Sequence, residues 1–289
     1  MPGMEDWPTG KVEQVAPGVR RLLAPNPSPF TYTGTQTYIV GTGAVAVIDP
    51  GPDLAEHVDA ILAATAGEKI AAILCTHTHR DHSPASRPLA AAVGAPIVGC
   101  APLALEDDGP RADAAFDFDY RPDRVLADGE TLAGEDWTLR AVATPGHTSN
   151  HLCFALEGAG ALFTGDHVMG WSTTVVSPPD GDMTLYMRSL DLLLGRDEDA
   201  VYHPAHGPAV DNPRAHVRAL IVHRRMREKQ ILAHLEAGEG RVPAMVGTMY
   251  RDVDARLHPA AGRSVLAHLV DMERRGLVRA SGETWELCA

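Results

Sequence analysis

Thr76-His77-Thr78-His79-Arg80-Asp81-His82 sets four potential metal ligands within six residues. It follows directly on Ile70-Ala71-Ala72-Ile73-Leu74-Cys75, an apolar run of strand length. The order predicts a polar loop at the exit of a buried strand. Side chains of an extended chain alternate, so His77, His79 and Asp81 are expected to project to one side, with His82 following as the chain turns. Imidazole and carboxylate donors suit zinc, iron or manganese, and the absence of thiolate argues against a closed structural zinc site. A lone histidine here would read as a solvated loop residue. Four candidates after one buried strand do not.

Three later segments have the same character. Thr144-Pro145-Gly146-His147-Thr148 puts a histidine in a Gly/Pro turn after the apolar run Thr138–Ala143. Phe163-Thr164-Gly165-Asp166-His167 ends the run Ala161–Thr164 in a carboxylate, and His203-Pro204-Ala205-His206-Gly207-Pro208 follows a last short strand at Ala200–His203. Strand-end loops are where rigid scaffolds commonly hold functional groups. Each segment is weak alone, but the ordered series is strong.

Around these segments, β-like and helical patterns alternate. Thr37–Val40 and Ala44–Ile48 read as a hairpin that Asp49-Pro50-Gly51-Pro52 closes in a turn. Leu54–Ala66 is helical by its apolar spacing. Ser83-Pro84 resembles an N-cap and first helical position, opening a helix to about Val93. Pro96–Cys100 and His151–Leu156 read as strands and Leu185–Leu194 as a helix, while residues 104–124 are acidic and irregular. From about Pro213 the pattern changes to three helices (Arg214–Glu236, Pro243–Tyr250, Ala260–Arg275) and a small hairpin, the winged-helix order. The expected division is therefore residues 1–212 and 213–289. Charge supports it: the first part carries 12 Lys+Arg against 29 Asp+Glu and the second 13 against 9.

The 289-residue chain is 45% hydrophobic and 22% charged, ordinary for a globular protein with a sizeable core. Its longest apolar runs fall far short of the ~20 residues of a membrane span, and MPGMEDWPTGKVEQ lacks a signal pattern. A cytoplasmic protein without membrane attachment is expected. Cys75, Cys100, Cys153 and Cys288 form no CxxC pair and read as small buried hydrophobes.

The motif series resembles the metallo-β-lactamase superfamily. The HxHxDH pattern matches at His77, His79, Asp81 and His82, and the GHT, GD and GHG-like motifs follow in order over most of residues 10–212. The resemblance implies an αββα sandwich and a dinuclear hydrolase. In it His77, His79 and His147 hold one divalent ion, Asp81, His82 and His206 hold a second, and Asp166 bridges them. Zinc is expected, with manganese or iron as alternatives. The implied nucleophile is a metal-bridging hydroxide, with Asp81 accepting its hydrogen bond. The retained Asp166 is similar to the glyoxalase II and RNA-processing branches rather than to true β-lactamases. Asn26-Pro27-Ser28-Pro29-Phe30 and Gly34-Thr35-Gln36-Thr37-Tyr38 resemble the subgroup with a C-terminal winged helix, which includes a β-lactamase-like endoribonuclease.

Two substrate classes follow: single-stranded RNA, or a small acyl ester, thioester or lactone. The acidic catalytic part counts against a polyanion unless the metals and the basic tail supply the attraction. Arg214, Arg218, Arg224, Arg225, Arg227 and Lys229 lie on one predicted helix, a patch that phosphate binding needs. A helix docked on an acidic domain would show the same charges. The third helix offers only Arg263 before its mixed end, so sequence-specific DNA is not expected. A non-catalytic winged-helix regulator is the alternative from another class, and a β-lactamase the alternative within the fold. His151 reads as a core residue or a support for a ligand, His167 and His203 as neighbours of the site, and His57 as a helix-surface residue.

Overall fold

A computed structural model describes residues 8–104 and 116–288. The first seven strands form one sheet in chain order: β1 (Glu13–Ala16), β2 (Val19–Leu23), β3 (Gln36–Val40), β4 (Ala44–Ile48), β5 (Lys69–Cys75), β6 (Ile97–Gly99) and β7 (Arg124–Val125). β1 to β4 are antiparallel. From β4 onward the pairing is parallel, because helix α1 (Ala55–Ala64) and helix α2 (Ser86–Val93) carry the chain back between strands. Alternation decides the faces. Val45, Val47 and Ile73 point outward onto Val58, Ile61 and Leu89 of the helices, whereas Ala46, Ile48, Ala72 and Leu74 point inward.

The inward face meets a second sheet, ordered β12-β11-β10-β9-β8. Its strands are β8 (Thr131–Ala133), β9 (Thr138–Ala143), β10 (Leu152–Leu156), β11 (Ala161–Gly165) and β12 (Val201–Pro204). Leu139, Ala141, Phe154 and Phe163 fill the space between the sheets. Truncating a buried phenylalanine of this kind to alanine costs ~3–5 kcal/mol. Helix α3 (Met183–Leu194) and the start of helix α4 (Pro213–Glu236) cover the other face through Tyr186, Leu190, Val217 and Ile221. The result is the expected αββα sandwich.

The rest of α4 joins α5 (Val242–Met249), α6 (His258–Arg274) and the hairpin β13 (Val278–Ser281) and β14 (Thr284–Leu287). Ile231, Met245, Val265, Leu269 and Val278 form a separate small core there. This winged-helix part is tied to the sandwich by its arginines. Arg224 is buried, lies over the Tyr186 ring at 5.0 Å and donates to the Thr174 carbonyl. Arg263 donates to Ser177 Oγ at 3.2 Å and to the Pro178 carbonyl, and Arg274 pairs with Asp182, which also caps α3. The basic patch of the sequence thus divides: Arg214, Arg218, Arg225 and Lys229 are exposed, while Arg224 faces the catalytic part.

Several expectations change. Strands β1, β2, β7 and β8 were not legible, because segments of two to five residues are too short to show a period. Ser83 is no N-cap: α2 starts at Ser86 without a side-chain cap, and the Ser83 hydroxyl donates to Asp117 at 2.8 Å. His57 is buried, not on the surface, with its Nε2 2.8 Å from Thr37 Oγ1. Cys288 is exposed, unlike the other three cysteines. Part of the irregular acidic stretch, residues 105–115, lies outside the described residues. No helix among the described residues is long and apolar enough to cross a membrane.

Candidate metal centre

The candidate residues converge where strands of both sheets run out. β5 ends before His77, β9 before His147, β11 at Asp166 and β12 before His206. The chain bends at Thr76 and turns at Arg80, so the strand alternation does not continue through the motif. His77 and His79 gather with His147 and Asp166, while Asp81 gathers with His82 and His206. The extended-chain expectation for Asp81 is therefore corrected by the turn. Two glycines make the approach possible. A Cβ on Gly146, which has φ of 139°, would stand 2.4 Å from the Tyr186 backbone nitrogen. One on Gly165 would stand 2.7 Å from His151 Nε2. Both turns need glycine.

In the first group, His77 Nε2 and His147 Nε2 lie 2.9 and 3.1 Å from His79 Nδ1. In the second, Asp81 Oδ2 lies 3.3 Å from His82 Nε2 and 3.2 Å from His206 Nε2. Asp166 spans the two: Oδ1 is 3.2 Å from His206 Nε2 and Oδ2 is 3.6 Å from His147 Nε2.

The outer nitrogen of each ring decides what the inner one can do. His147 Nδ1 donates to the Val175 carbonyl at 2.7 Å and His206 Nδ1 to the Gly34 carbonyl at 3.1 Å. His82 Nδ1 donates to Asp49 Oδ2 at 3.0 Å. The Thr76 hydroxyl donates to the same carboxylate oxygen at 2.8 Å, so it accepts from His77 Nδ1 at 3.0 Å. With the proton on Nδ1, each of these rings in its neutral form presents a lone pair on Nε2 to the cluster. His82 Nε2 and Asp166 Oδ1 have no hydrogen-bond partner although buried. Lone pairs turned towards one another repel unless a cation lies between them. A cavity of about 30 Å³ bordered by His79, Asp81, His147, Asp166 and His206 offers room for such guests. The donor set thus fits divalent metal.

Electrostatics separates the two groups. Burial, then the charge of neighbouring histidines, pushes His77 well below the ordinary imidazole range and His79 down to about 3. Burial also acts to lower His206, but Asp166 and Asp81 overcome it and raise it to about 10. Burial opposes the charge on Asp81 and Asp166 too, yet their histidine partners hold both carboxyls well below the usual range. The second group carries a negative field that draws positive charge.

Asp49 is a residue that the sequence reading missed. It holds an unusual φ of 48° in the turn after β4 and is buried. Its carboxylate orients His82 directly and His77 through Thr76. The only signal was an aspartate in a Pro/Gly turn. His151 supports the site as well: Thr144 fixes its Nδ1 at 2.9 Å, and its Nε2 accepts the Asp166 backbone N–H at 3.2 Å. The segment 26–38 holds the rim. Thr35 Oγ1 lies 3.3 Å from Asp81 Oδ2, and Gln36 donates to the Pro204 carbonyl at 3.0 Å, fixing the His206 loop. His167 and His203 stay outside, packed on Tyr186 and Phe163. Arg80 is exposed.

Residues 31–206 match the metallo-beta-lactamase superfamily. The chain belongs to this superfamily. Residues 242–285 match the beta-lactamase associated winged helix domain. Among similar proteins is the lactamase-like protein ptaB of Pestalotiopsis fici, 31% identical over 96% of this chain and 88% of the relative. Another is the atrochrysone carboxyl ACP thioesterase AgnL7 of Paecilomyces divaricatus, 34% identical over 85% of this chain and 74% of the relative. A beta-lactamase domain protein from Burkholderia ambifaria shares the fold with a TM-score of 0.79 at 20% identity, covering 98% of this chain and 96% of that one. With this fold, these relatives and the His/Asp cluster, the chain is a metal-dependent hydrolase.

Proposed function

We propose that the protein hydrolyses a small acyl thioester at a dinuclear centre. His77, His79 and His147 would hold one divalent ion, Asp81, His82 and His206 the other, and Asp166 would touch both. Zinc is the proposed metal, manganese and iron the alternatives, since imidazole and carboxylate suit all three. The ions would supply Lewis-acid polarisation of the carbonyl and a water acidified to near neutral pKa.

The remaining work falls to the chain. The Asp81 carboxylate, kept anionic and steadied by Thr35, accepts a hydrogen bond from the attacking water and orients it. Water adds to the acyl carbon, the carbon–sulfur bond breaks, and an acid and a thiol result. The observation that carries the reading is the lining of the centre. Beyond the metal-ligand candidates it offers Phe30, Met169 and Val175, and among the described residues no lysine, arginine or tyrosine to protonate a leaving group. A thiolate, whose conjugate acid has a pKa of ~8.5, leaves without such help, whereas an alkoxide does not. The thioesterase name of the relative supports the same choice. RNA is disfavoured because the basic patch of α4 is reduced: Arg224 is engaged with the sandwich and Arg214 pairs with Asp197, which leaves Arg218, Arg225 and Lys229 as its exposed remainder.

The test is thiol release from acyl pantetheine thioesters by the zinc- or manganese-loaded full chain, beside cleavage of a labelled unstructured RNA. Thiol release that is lost in Asp81→Ala supports the proposal. RNA cleavage without thiol release overturns it.

A further inference from the structure

A second cavity, of about 270 Å³, adjoins the metal centre. Phe30, Met169 and Val175 border both spaces, so the larger one lies directly beside the space bordered by the candidate metal ligands. Its far wall comes from the winged-helix part: Tyr250, Val253, Leu257 and Ala261 stand opposite Phe30 and Trp171. Neither domain alone builds the space.

The wall is largely apolar, with Ser172, Thr173, Thr174 and Ser264 among its residues, and its charges come from α4. Arg224 and Arg227 line the cavity, and their partners among the described residues are neutral. Arg224 contacts the Thr174 carbonyl and the Tyr186 ring; Arg227 contacts Gln230, the Met249 carbonyl and the Tyr250 ring at 4.3 Å. The Nε atoms of both are buried without a hydrogen-bond partner, as are Trp171 Nε1 and His223 Nδ1. Burial and these two cations push His223 down to about 4, so it stays neutral beside them. Buried positive charge without a counter-charge is costly unless a ligand supplies one.

We propose that this interdomain cavity receives the acyl part of the substrate, a compact apolar, aromatic-sized group bearing an anionic substituent that meets Arg227 and Arg224. The volume lies near the lower end of the ~300–1,000 Å³ usual for ligand pockets, which limits the acyl group to a compact one. The winged helix is then a specificity wall rather than a reader of nucleic acid. This rests on the thioesterase reading for the identity of the leaving group, but not for the occupancy of the cavity.

The experiment compares acetyl, 2-naphthoyl and 6-carboxy-2-naphthoyl pantetheine as substrates of the metal-loaded full chain. Wild type should prefer the carboxynaphthoyl thioester to the naphthoyl one, and both to acetyl, in kcat/KM. Leu257→Trp should cut the naphthoyl-to-acetyl ratio about tenfold. Arg227→Gln should cut the carboxynaphthoyl-to-naphthoyl ratio about tenfold. Ratios unchanged in both variants overturn the proposal. Binding of 2,6-naphthalenedicarboxylate, followed by titration calorimetry, separates the two failures. If wild type hydrolyses no thioester, the thioesterase reading fails. The cavity assignment then stands only if the dicarboxylate binds and both variants weaken it about tenfold. Absence of binding, or equal binding by all three proteins, overturns it.

Discussion

The two halves of the metal centre lie within one hydrogen-bond length of each other and yet have opposite electrostatic character. His77 and His79 are pushed below the ordinary imidazole range by burial and then by neighbouring histidines, His82 foremost for His77 and His147 for His79, whereas His82 and His206 are raised because Asp81 and Asp166 outweigh the same burial. The lesson is that burial lowers a histidine unless carboxylates beside it outweigh that burial. One corner disfavours positive charge on His77 and His79, and the other favours it on His82 and His206. Asp166 alone belongs to both.

The sharpest way to break this comparison is Asp166→Ala. If both corners depend on the shared carboxylate, metal analysis should show loss of bound ions, and hydrolysis should fall on the order of a thousandfold or more. Full retention of two ions would make the corners independent. Asp49→Asn comes next. It leaves every candidate ligand in place but weakens the orientation of His82 and, through Thr76, of His77, so metal affinity should drop about 10–100-fold in competition with a chelator. An unchanged affinity would reduce Asp49 to a turn residue.

Histidines away from the centre sharpen the comparison further, because burial dominates their shifts. His57 is lowered to about 4 by burial, and His268 to about 3 by burial and the Arg224 charge. An unfolded histidine titrates near ~6.5, so between that value and the folded one the unfolded chain binds more protons. Stability is therefore full above about pH 6.5 and is lost as the pH falls towards 4 and below. His268→Leu should flatten that acid branch by up to ~1.4 kcal/mol per pH unit in denaturant titrations. An unaltered slope would show that His268 does not stay neutral. The smallest effect is expected at the surface: Arg218→Ser and Arg225→Ser should change stability by no more than ~0.5 kcal/mol and leave thiol release intact.

What was legible in the sequence follows from distance along the chain. His77 to His82 are neighbours after one apolar strand, and His147, Asp166 and His206 each sit in a loop marked by glycine at a strand end, so residue type and position carried the pattern. Asp49 was hidden because its partners are far away, at Thr76 and His82, and its own segment reads as an ordinary turn. The arginines of α4 misled for a related reason. Helical spacing shows which residues share a face but not what the face meets, and Arg224 is swallowed by a neighbour that periodicity cannot name. His57 was likewise assigned to the surface, since nothing local announces Thr37 on β3.

Thr174 takes part in two contacts that bear on how such proteins could be recombined. Its hydroxyl donates to the Asp166 carbonyl, and its own carbonyl receives Arg224 from α4. One residue thus joins the reactive aspartate to the tail. A chimera that exchanged the winged helix at the start of α4 would sever that joint and bring in a foreign wall with no matching loop. The heritable module is the seam, residues 171–182 together with α4 and α6, and an engineer who moves one side must move the other.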